Sequence, residues 1–487
     1  MSEFVRSWVG ATAMMLIMVS VTAVRTTGIY CRAGCPARPL ERNTAPFRSA
    51  VAAEAAGYRA CLRCRPDLGA DSTVDGSAPS PVRRAVDLIS HGFLDSRTEA
   101  DLAAFVGYSA RHLRRLFLEH VGATPDAVAR SRRVHFARRL LDDTQLPLVD
   151  VAIAAGFTSS RQMGRVMSDV FGFAPSRLRG RVAVDRGSID GGFPVSVTVG
   201  AGSWARLIEH LGPRCTPGVE AVSDGRYCRT LRLAARPGVI EMSAGDSTPG
   251  DQLSLLVHLP TYAGLIEIVE RTRRLVGADL DIGPALQLFA ADELLGPILE
   301  GSDIADGLSI PGAWDGFETA VRIVIGQQVS VVGASTLTGR VVERSGEHVE
   351  GLDRLDLERV FPTPAQLANA DLSGLGMTGT RTSTIAELAA AAVGGEIDFD
   401  VPAVDLRERV LAIKGIGPWT AEMTAMRVGR DLDAFPASDL VIRDVVGRLV
   451  GEKRPPAAFV EHMAEMWRPY RAVAATLLWR LARDGRD

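Results

Sequence analysis

Two close cysteine pairs, Cys31-x3-Cys35 and Cys61-x2-Cys64 with 25 residues between them, constrain the N-terminal segment more than any other feature of the chain. Short pairs on either side of a loop are how four thiolates clamp one tetrahedral ion. Soft sulfur ligands without carboxylates favour zinc. Two disulfides or four idle cysteines are the alternatives. The chain has six cysteines in 487 residues, too few for a disulfide scaffold. Cys215 and Cys228 are expected to be ordinary core residues.

A chain of 52.0 kDa exceeds one hydrophobic core and predicts about three domains. Hydrophobic content of 46%, charged content of 23% and a mean hydropathy of +0.10 exclude disorder, collagen and a polytopic membrane protein. The net charge of −3 averages arginine-rich early residues with acid-richer later ones. Only Lys414 and Lys453 are lysines, a skew that reads as genomic bias. The apolar run Val9–Val24 has signal-peptide length but is short of the ~20 residues of a membrane span. A buried strand or helix is expected there, with secretion or a misplaced start as alternatives. The expected location is cytoplasmic, with no membrane contact.

Four segments differ in texture. Residues 1–68 hold the cysteine pairs, and a polar linker, Gly69–Ser80, follows. Residues 81–182 are Arg-rich with helical periodicity. A Gly- and Asp-rich joint, Val182–Gly192, precedes residues 193–300, where Pro194–Gly200, Tyr227–Ala235 and Leu253–Leu259 alternate like strands. Residues 301–487 are dominated by amphipathic helical patterns. One repeat stands out: Val106-Gly107-Tyr108-Ser109 returns as Ala155-Gly156-Phe157-Thr158, and His120–Pro125 returns as Val170–Pro175. Two copies at a period near 50 describe a duplicated helical module.

Each copy reads helix, turn, helix. Gly107 and Gly156 occupy the turns, with Ser109 and then Thr158 or Ser159 as N-caps. The second helices present Arg111, His112 and Arg115, then Arg161, Gln162 and Arg165, on outward faces. Leu113, Leu116, Phe117, Met163 and Val166 face inward. Arg and Gln near a helix N-terminus suit base edges and phosphates. A merely solvated arginine face is the alternative. Farther on, Lys414-Gly415-Ile416-Gly417-Pro418 separates two amphipathic helices. Its two glycines permit a tight turn that offers backbone N–H groups to a phosphate, although a plain helical corner has the same pattern.

These motifs carry resemblances. The segments around Cys31–Cys35 and Cys61–Cys64 resemble the zinc domain of Ada adaptive-response proteins. That resemblance implies that Cys31, Cys35, Cys61 and Cys64 bind Zn²⁺ and that Cys31 accepts a methyl group from a DNA methylphosphotriester. The chain departs from the family ahead of Thr26, where the apolar run replaces a helix and charged loop. The repeated module resembles an AraC-type DNA-binding domain. The Pro-Cys-His-Arg motif of the guanine methyltransferase found in many Ada proteins is absent, so that activity is excluded.

The hairpin, the Gly326-Gln327-Gln328-Val329-Ser330 segment and Asp439, 20 residues after Trp419, together resemble helix-hairpin-helix glycosylases of the 3-methyladenine glycosylase II (AlkA) type. The resemblance implies Asp439 as the carboxylate that stabilises an oxocarbenium-like sugar. It implies Trp419, Met423 and Tyr470 around an extruded base, Gln328 in the gap left behind, and Lys414, Gly415 and Gly417 on the DNA backbone. Bifunctional relatives have a Schiff-base lysine where this chain has Trp419, so a monofunctional hydrolase is expected.

The resulting expectation is multidomain and mostly α with an α+β unit. It comprises a small zinc domain (1–68), a tandem helix-turn-helix (81–182), a small α/β, TBP-like subdomain (193–300) and an all-α helix-hairpin-helix glycosylase (301–487). Duplex DNA, alkylated and at promoters, is the expected partner, with a contact to RNA polymerase and a monomeric state. The alternative is a transcription regulator whose glycosylase domain only binds DNA.

Overall fold

The computed structural model describes residues 21–32, 35–36, 39–64, 66, 78–90, 92–179, 193–198, 203–233, 236–245, 252–259, 261–300 and 303–484. Residues 9–20 of the apolar run, most of the 69–80 linker and the whole 182–192 joint lie outside these. The chain divides into two compact units: Met1–Gly187 with Thr261–Glu270, and Ser188–Pro260 with Arg271–Asp487.

In the first unit, the end of the apolar run becomes strand β1 (Val21–Val24), nearly all of it buried. It pairs antiparallel with β2 (Ile29–Arg32) and β3 (Thr44–Phe47), and β2 pairs parallel with β4 (Arg59–Ala60), giving the order β3-β1-β2-β4. The helix Ala50–Ala55, capped by Ser49, bridges β3 to β4.

Residues 80–178 are helical, without a strand among the described residues. In the first copy of the repeat, helix Glu99–Phe105 begins with a Thr98–Asp101 capping box, and helix Ala110–His120 is capped by the Ser109 hydroxyl. In the second, Leu148–Ala154 precedes Ser160–Phe171, whose cap is Ser159. Gly107 and Gly156 take left-handed φ values of 78° and 77°, the conformation that admits glycine most readily. The 19-residue helix Pro125–Asp143 joins the copies. Leu113, Leu116, Phe117, Met163 and Val166 are all buried, as their spacing predicts.

The second unit opens with a five-stranded antiparallel sheet in the order β5-β9-β8-β7-β6. Its strands are β5 (Phe193–Thr198), β6 (Glu220–Ser223), β7 (Arg226–Leu233), β8 (Arg236–Ala244) and β9 (Gln252–His258). Cys228 is buried on β7, while Cys215 is half-buried. A buried ion network ties the sheet to the first helix of the helical half, Gly316–Ile325. Arg229 bonds Glu220 at 3.4 Å and Glu318 at 2.8 Å, and Arg322 reaches the same two carboxylates. Removing one member of such a set would strand the opposite charge in a low-dielectric interior.

The helical half packs around Trp467, Phe435, Leu477 and Leu478. It is not wholly α: the two-residue strands Glu347–His348 and Arg359–Val360 pair antiparallel. Among the described residues, no helix is long and apolar enough to cross a membrane.

Candidate functional site

The β2–β4 register explains how distant cysteines meet. Tyr30 pairs with Ala60, so Cys31 and Cys61, one residue beyond, lie side by side, and the Cys61 N–H donates to the Tyr30 carbonyl at 3.0 Å. The sulfurs of Cys31, Cys35, Cys61 and Cys64 all lie within 4.8 Å of one another. All four thiols are free, so the disulfide alternative fails. Burial, then hydrogen bonds to Cys35 and Cys61, push the Cys31 thiol well above its usual range. Burial also leads in raising Cys64, to about 11. At Cys61 burial acts upward too, but hydrogen bonds from the Cys64 and Arg63 backbone outweigh it and lower the thiol. Several ionised sulfurs coexist in so tight a pocket only around a cation, and an all-sulfur donor set is a zinc site. Cys31 is 5% exposed, and Cys35 is the most accessible of the four.

On the first recognition helix, Arg111 and Arg115 are exposed and His112 half-buried, its ring 4.7 Å from that of Tyr108. Arg115 lies 3.6 Å from Glu119. On the second helix, Arg161 and Arg165 are exposed and have no carboxylate partner among the described residues. Gln162 is partly committed: its side-chain oxygen accepts from the Thr158 N–H and hydroxyl at 3.1 and 2.8 Å.

In the second unit, the expected hairpin joins helix Ala403–Leu411 to helix Pro418–Arg427. Gly415 has φ 90°, and a Cβ there would lie 2.0 Å from the Thr384 hydroxyl. Glycine is required at this position. Gly417 differs, with an ordinary φ of −105° and open space where a Cβ would stand. It is the N-cap of a helix whose first turn no side chain caps, which leaves the N–H groups of that turn without a side-chain acceptor. Lys414 is exposed, and its carbonyl accepts from Thr384 Oγ1 at 2.9 Å.

Asp439 is the N-cap of helix Leu440–Val450. Its Oδ1 accepts from the N–H groups of Val441 at 3.0 Å and Ile442 at 3.1 Å. Two indoles complete its surroundings: Trp419 Nε1 donates to Oδ2 at 2.9 Å, and Trp479 Nε1 donates to Oδ1 at 3.1 Å. Trp479, on helix Arg471–Asp484, escapes the sequence reading. Its only signal is an indole on an otherwise alanine- and leucine-rich helix. Arg427 stacks over its ring at 5.8 Å. Met423 is half-buried one turn after Trp419. Tyr470 is partly buried against the Trp467 core. Gln328 is exposed at the tip between two helices, with a left-handed φ of 57°. Thus Asp439 and Trp419 are brought into direct contact, with Trp479 as an unforeseen third member.

Four family models match in order along the chain. They are the metal binding domain of Ada over residues 19–67, a helix-turn-helix domain over 102–181, the AlkA N-terminal domain over 202–315, and the HhH-GPD superfamily base excision DNA repair protein over 321–469. A Mycobacterium tuberculosis protein described as a probable bifunctional transcriptional activator/DNA repair enzyme AlkA is 38% identical over 470 residues, covering 94% of this chain and 92% of that one. DNA-3-methyladenine glycosylase 2 of Escherichia coli is 32% identical over 286 residues, covering 57% of this chain and 93% of its own. Among solved structures, a 3-methyladenine DNA-glycosylase from Archaeoglobus fulgidus superposes with a TM-score of 0.51 at 21% identity, covering 59% of this chain and 98% of that one, and supports the glycosylase fold. With its four-cysteine zinc site, tandem helix-turn-helix and hairpin glycosylase fold in that order, the chain belongs to the family of bifunctional AlkA-type transcriptional activators and DNA repair enzymes.

Proposed function

We propose that the second unit hydrolyses the N-glycosidic bond of alkylated purines, of the 3-methyladenine and 7-methylguanine class, after the base leaves the DNA stack. The observation that carries this reading is the setting of Asp439. Oδ1 is saturated by three N–H donors, while Oδ2 has one. Oδ2 is therefore the oxygen left to face the sugar. A carboxylate fixed this way offers negative charge to the developing oxocarbenium ion without reorganising. Trp419 and Trp479 place electron-rich rings beside it, and a purine made cationic by alkylation is drawn to such faces. Met423 and Tyr470 border the base in this reading, Gln328 enters the vacated stack, and Lys414, Gly415 and Gly417 hold the backbone. Trp419 stands where bifunctional relatives carry a Schiff-base lysine, so the proposed activity is that of a monofunctional hydrolase.

The first unit, in the same reading, binds promoter DNA through Arg111, His112, Arg115, Arg161, Gln162 and Arg165 and activates transcription by contacting RNA polymerase. Zinc held by Cys31, Cys35, Cys61 and Cys64 would keep the sulfurs ionised near neutral pH. Cys31 Sγ attacks the methyl carbon of a DNA methylphosphotriester. The carbon–oxygen bond breaks with its electron pair left on the phosphate, which departs as an ordinary diester anion. Loss of one thiolate charge lowers repulsion toward DNA and tightens binding.

The deciding experiment is incubation of the full chain with duplex DNA carrying one 7-methylguanine, with the freed base separated by chromatography and any abasic site cut by an abasic-site endonuclease. Wild-type protein should free the base and leave an abasic site at the lesion, and Asp439→Asn should lose on the order of 10²–10³ in excision rate. Lesion binding without excision by wild-type protein would favour the regulator that only binds DNA.

A further inference from the structure

The segment joining helix Gly316–Ile325 to helix Val331–Ser345 carries Gln328 at its tip, and the residue before it is tied down on both sides. Gln327 Nε2 donates to the Gly415 carbonyl at 3.2 Å and to Thr420 Oγ1 at 2.9 Å, so both amide hydrogens are engaged. Its backbone carbonyl accepts from Arg381 Nη2 at 2.5 Å. Arg381 shares helix Gly379–Gly394 with Thr384, whose hydroxyl holds the Lys414 carbonyl. Thr420 is buried and adjoins Trp419. One side chain therefore links the exposed tip, the hairpin turn and the helix bearing Trp419. A left-handed backbone is disfavoured for any residue with a Cβ and persists only where its surroundings impose it. Gln328, at φ 57°, is such a residue, and it directly follows the tied Gln327.

We propose that Gln327 is a positioning residue that locks the Gln328 tip to the hairpin. The grip on the DNA backbone and the insertion into the base stack then act at a fixed separation. This rests on the glycosylase reading for what the tip does. The clamp touches neither Asp439 nor the base, so it acts on opening of the base pair and not on bond cleavage. An untied tip would have to be ordered at the moment of insertion, and that entropy would be charged against the opened state.

The test uses the full zinc-loaded chain and duplex DNA with 2-aminopurine beside a paired 7-methylguanine, whose fluorescence rises as the stack opens. Gln327→Ala and Thr420→Val should each reduce the rise by about fivefold, as expected for one or two lost hydrogen bonds. Thr420→Ser, which keeps the hydroxyl, should match wild type. Excision of 7-methylguanine from a one-nucleotide bulge, which needs no pair opened, should stay within about twofold of wild type in all three variants. A wild-type fluorescence rise in folded Gln327→Ala, or equal losses on paired and bulged DNA, overturns the proposal. Should Gln327→Ala melt below assay temperature, the Thr420→Val and Thr420→Ser pair decides alone. Because fluorescence needs no bond cleavage, wild-type protein that opens the stack yet excises nothing would sink the glycosylase reading and leave the clamp standing.

Discussion

Asp439 begins a helix and holds two indoles with the same two oxygens, so its cap role and its proposed electrostatic role cannot be separated by removing the side chain. Asn caps helices about as well as Asp. Here, however, both oxygens accept N–H groups. An Asp439→Asn amide that keeps its carbonyl on Val441 and Ile442 turns its NH2 toward the Trp419 N–H. Pairing it with Trp419→Phe removes that donor clash. If charge is what matters, the double variant should recover stability but no excision, measured by thermal melting beside single-turnover rates. Trp479→Phe keeps the ring and deletes one N–H. It should lower excision by about five- to tenfold and stability by about 1.5 kcal/mol, the low end for one hydrogen bond to a charged group. Asp439 and Trp419 were legible because a 20-residue spacing ties them to one hairpin motif. Trp479 stands 40 residues beyond Asp439 on the final helix, and no spacing rule connects a helix start to a ring arriving from there. Gln327 was hidden for a similar reason, since its partners lie 88 and 93 residues away.

Elements with local grammar are legible in the sequence. Hydroxyl caps at Ser109 and Ser159, glycine turns between paired helices, and alternating strands all depend on residues a few positions apart. What escaped is how elements from different segments seat against one another. The helix Ala50–Ala55 offers Glu54 to helix Pro125–Asp143: Tyr30 OH donates to Glu54 Oε1 at 2.7 Å, and His135 Nε2 lies 2.5 Å from the same oxygen. Burial alone would raise the Glu54 carboxyl, but the charge and hydrogen bond of His135, with Tyr30 and Ser131, hold it below its ordinary 4.5. A carboxyl depressed in the folded state contributes stability that is full above the unfolded value and is lost as pH falls through the folded one. Glu54→Gln should therefore lower the melting temperature of the first unit at neutral pH. The gap from wild type should close as the pH drops below about 4.5. A gap that does not change over that range would show that Glu54 contributes packing alone.

At the scale of the whole molecule, the zinc segment and the helix-turn-helix segment share a core. Val51 packs in one cluster with Val82, Leu113, Phe117 and Val121. Ser49 Oγ donates to the Val121 carbonyl at 3.0 Å, and Arg48 Nη1 to the Glu119 carbonyl at 2.6 Å, so the zinc segment satisfies the end of the first recognition helix. Stripping zinc with a strong chelator should thus lower the melting temperature of residues 80–178 as well as unfold the cysteine loops, followed by far-UV circular dichroism. It should also weaken promoter binding. A helical transition indifferent to zinc would mean that the shared core contributes little. The same docking bears on how such a gene can be rearranged in descent. A breakpoint in the stretch between Cys64 and Ser80 falls between two segments that look separate in sequence, yet recombination there would leave the promoter reader with an open apolar wound and a frayed recognition helix. Lineages that discard the zinc segment would have to refill the place of Val51 and re-cap Val121 in the same step, so shuffling should carry the two segments together as one heritable block.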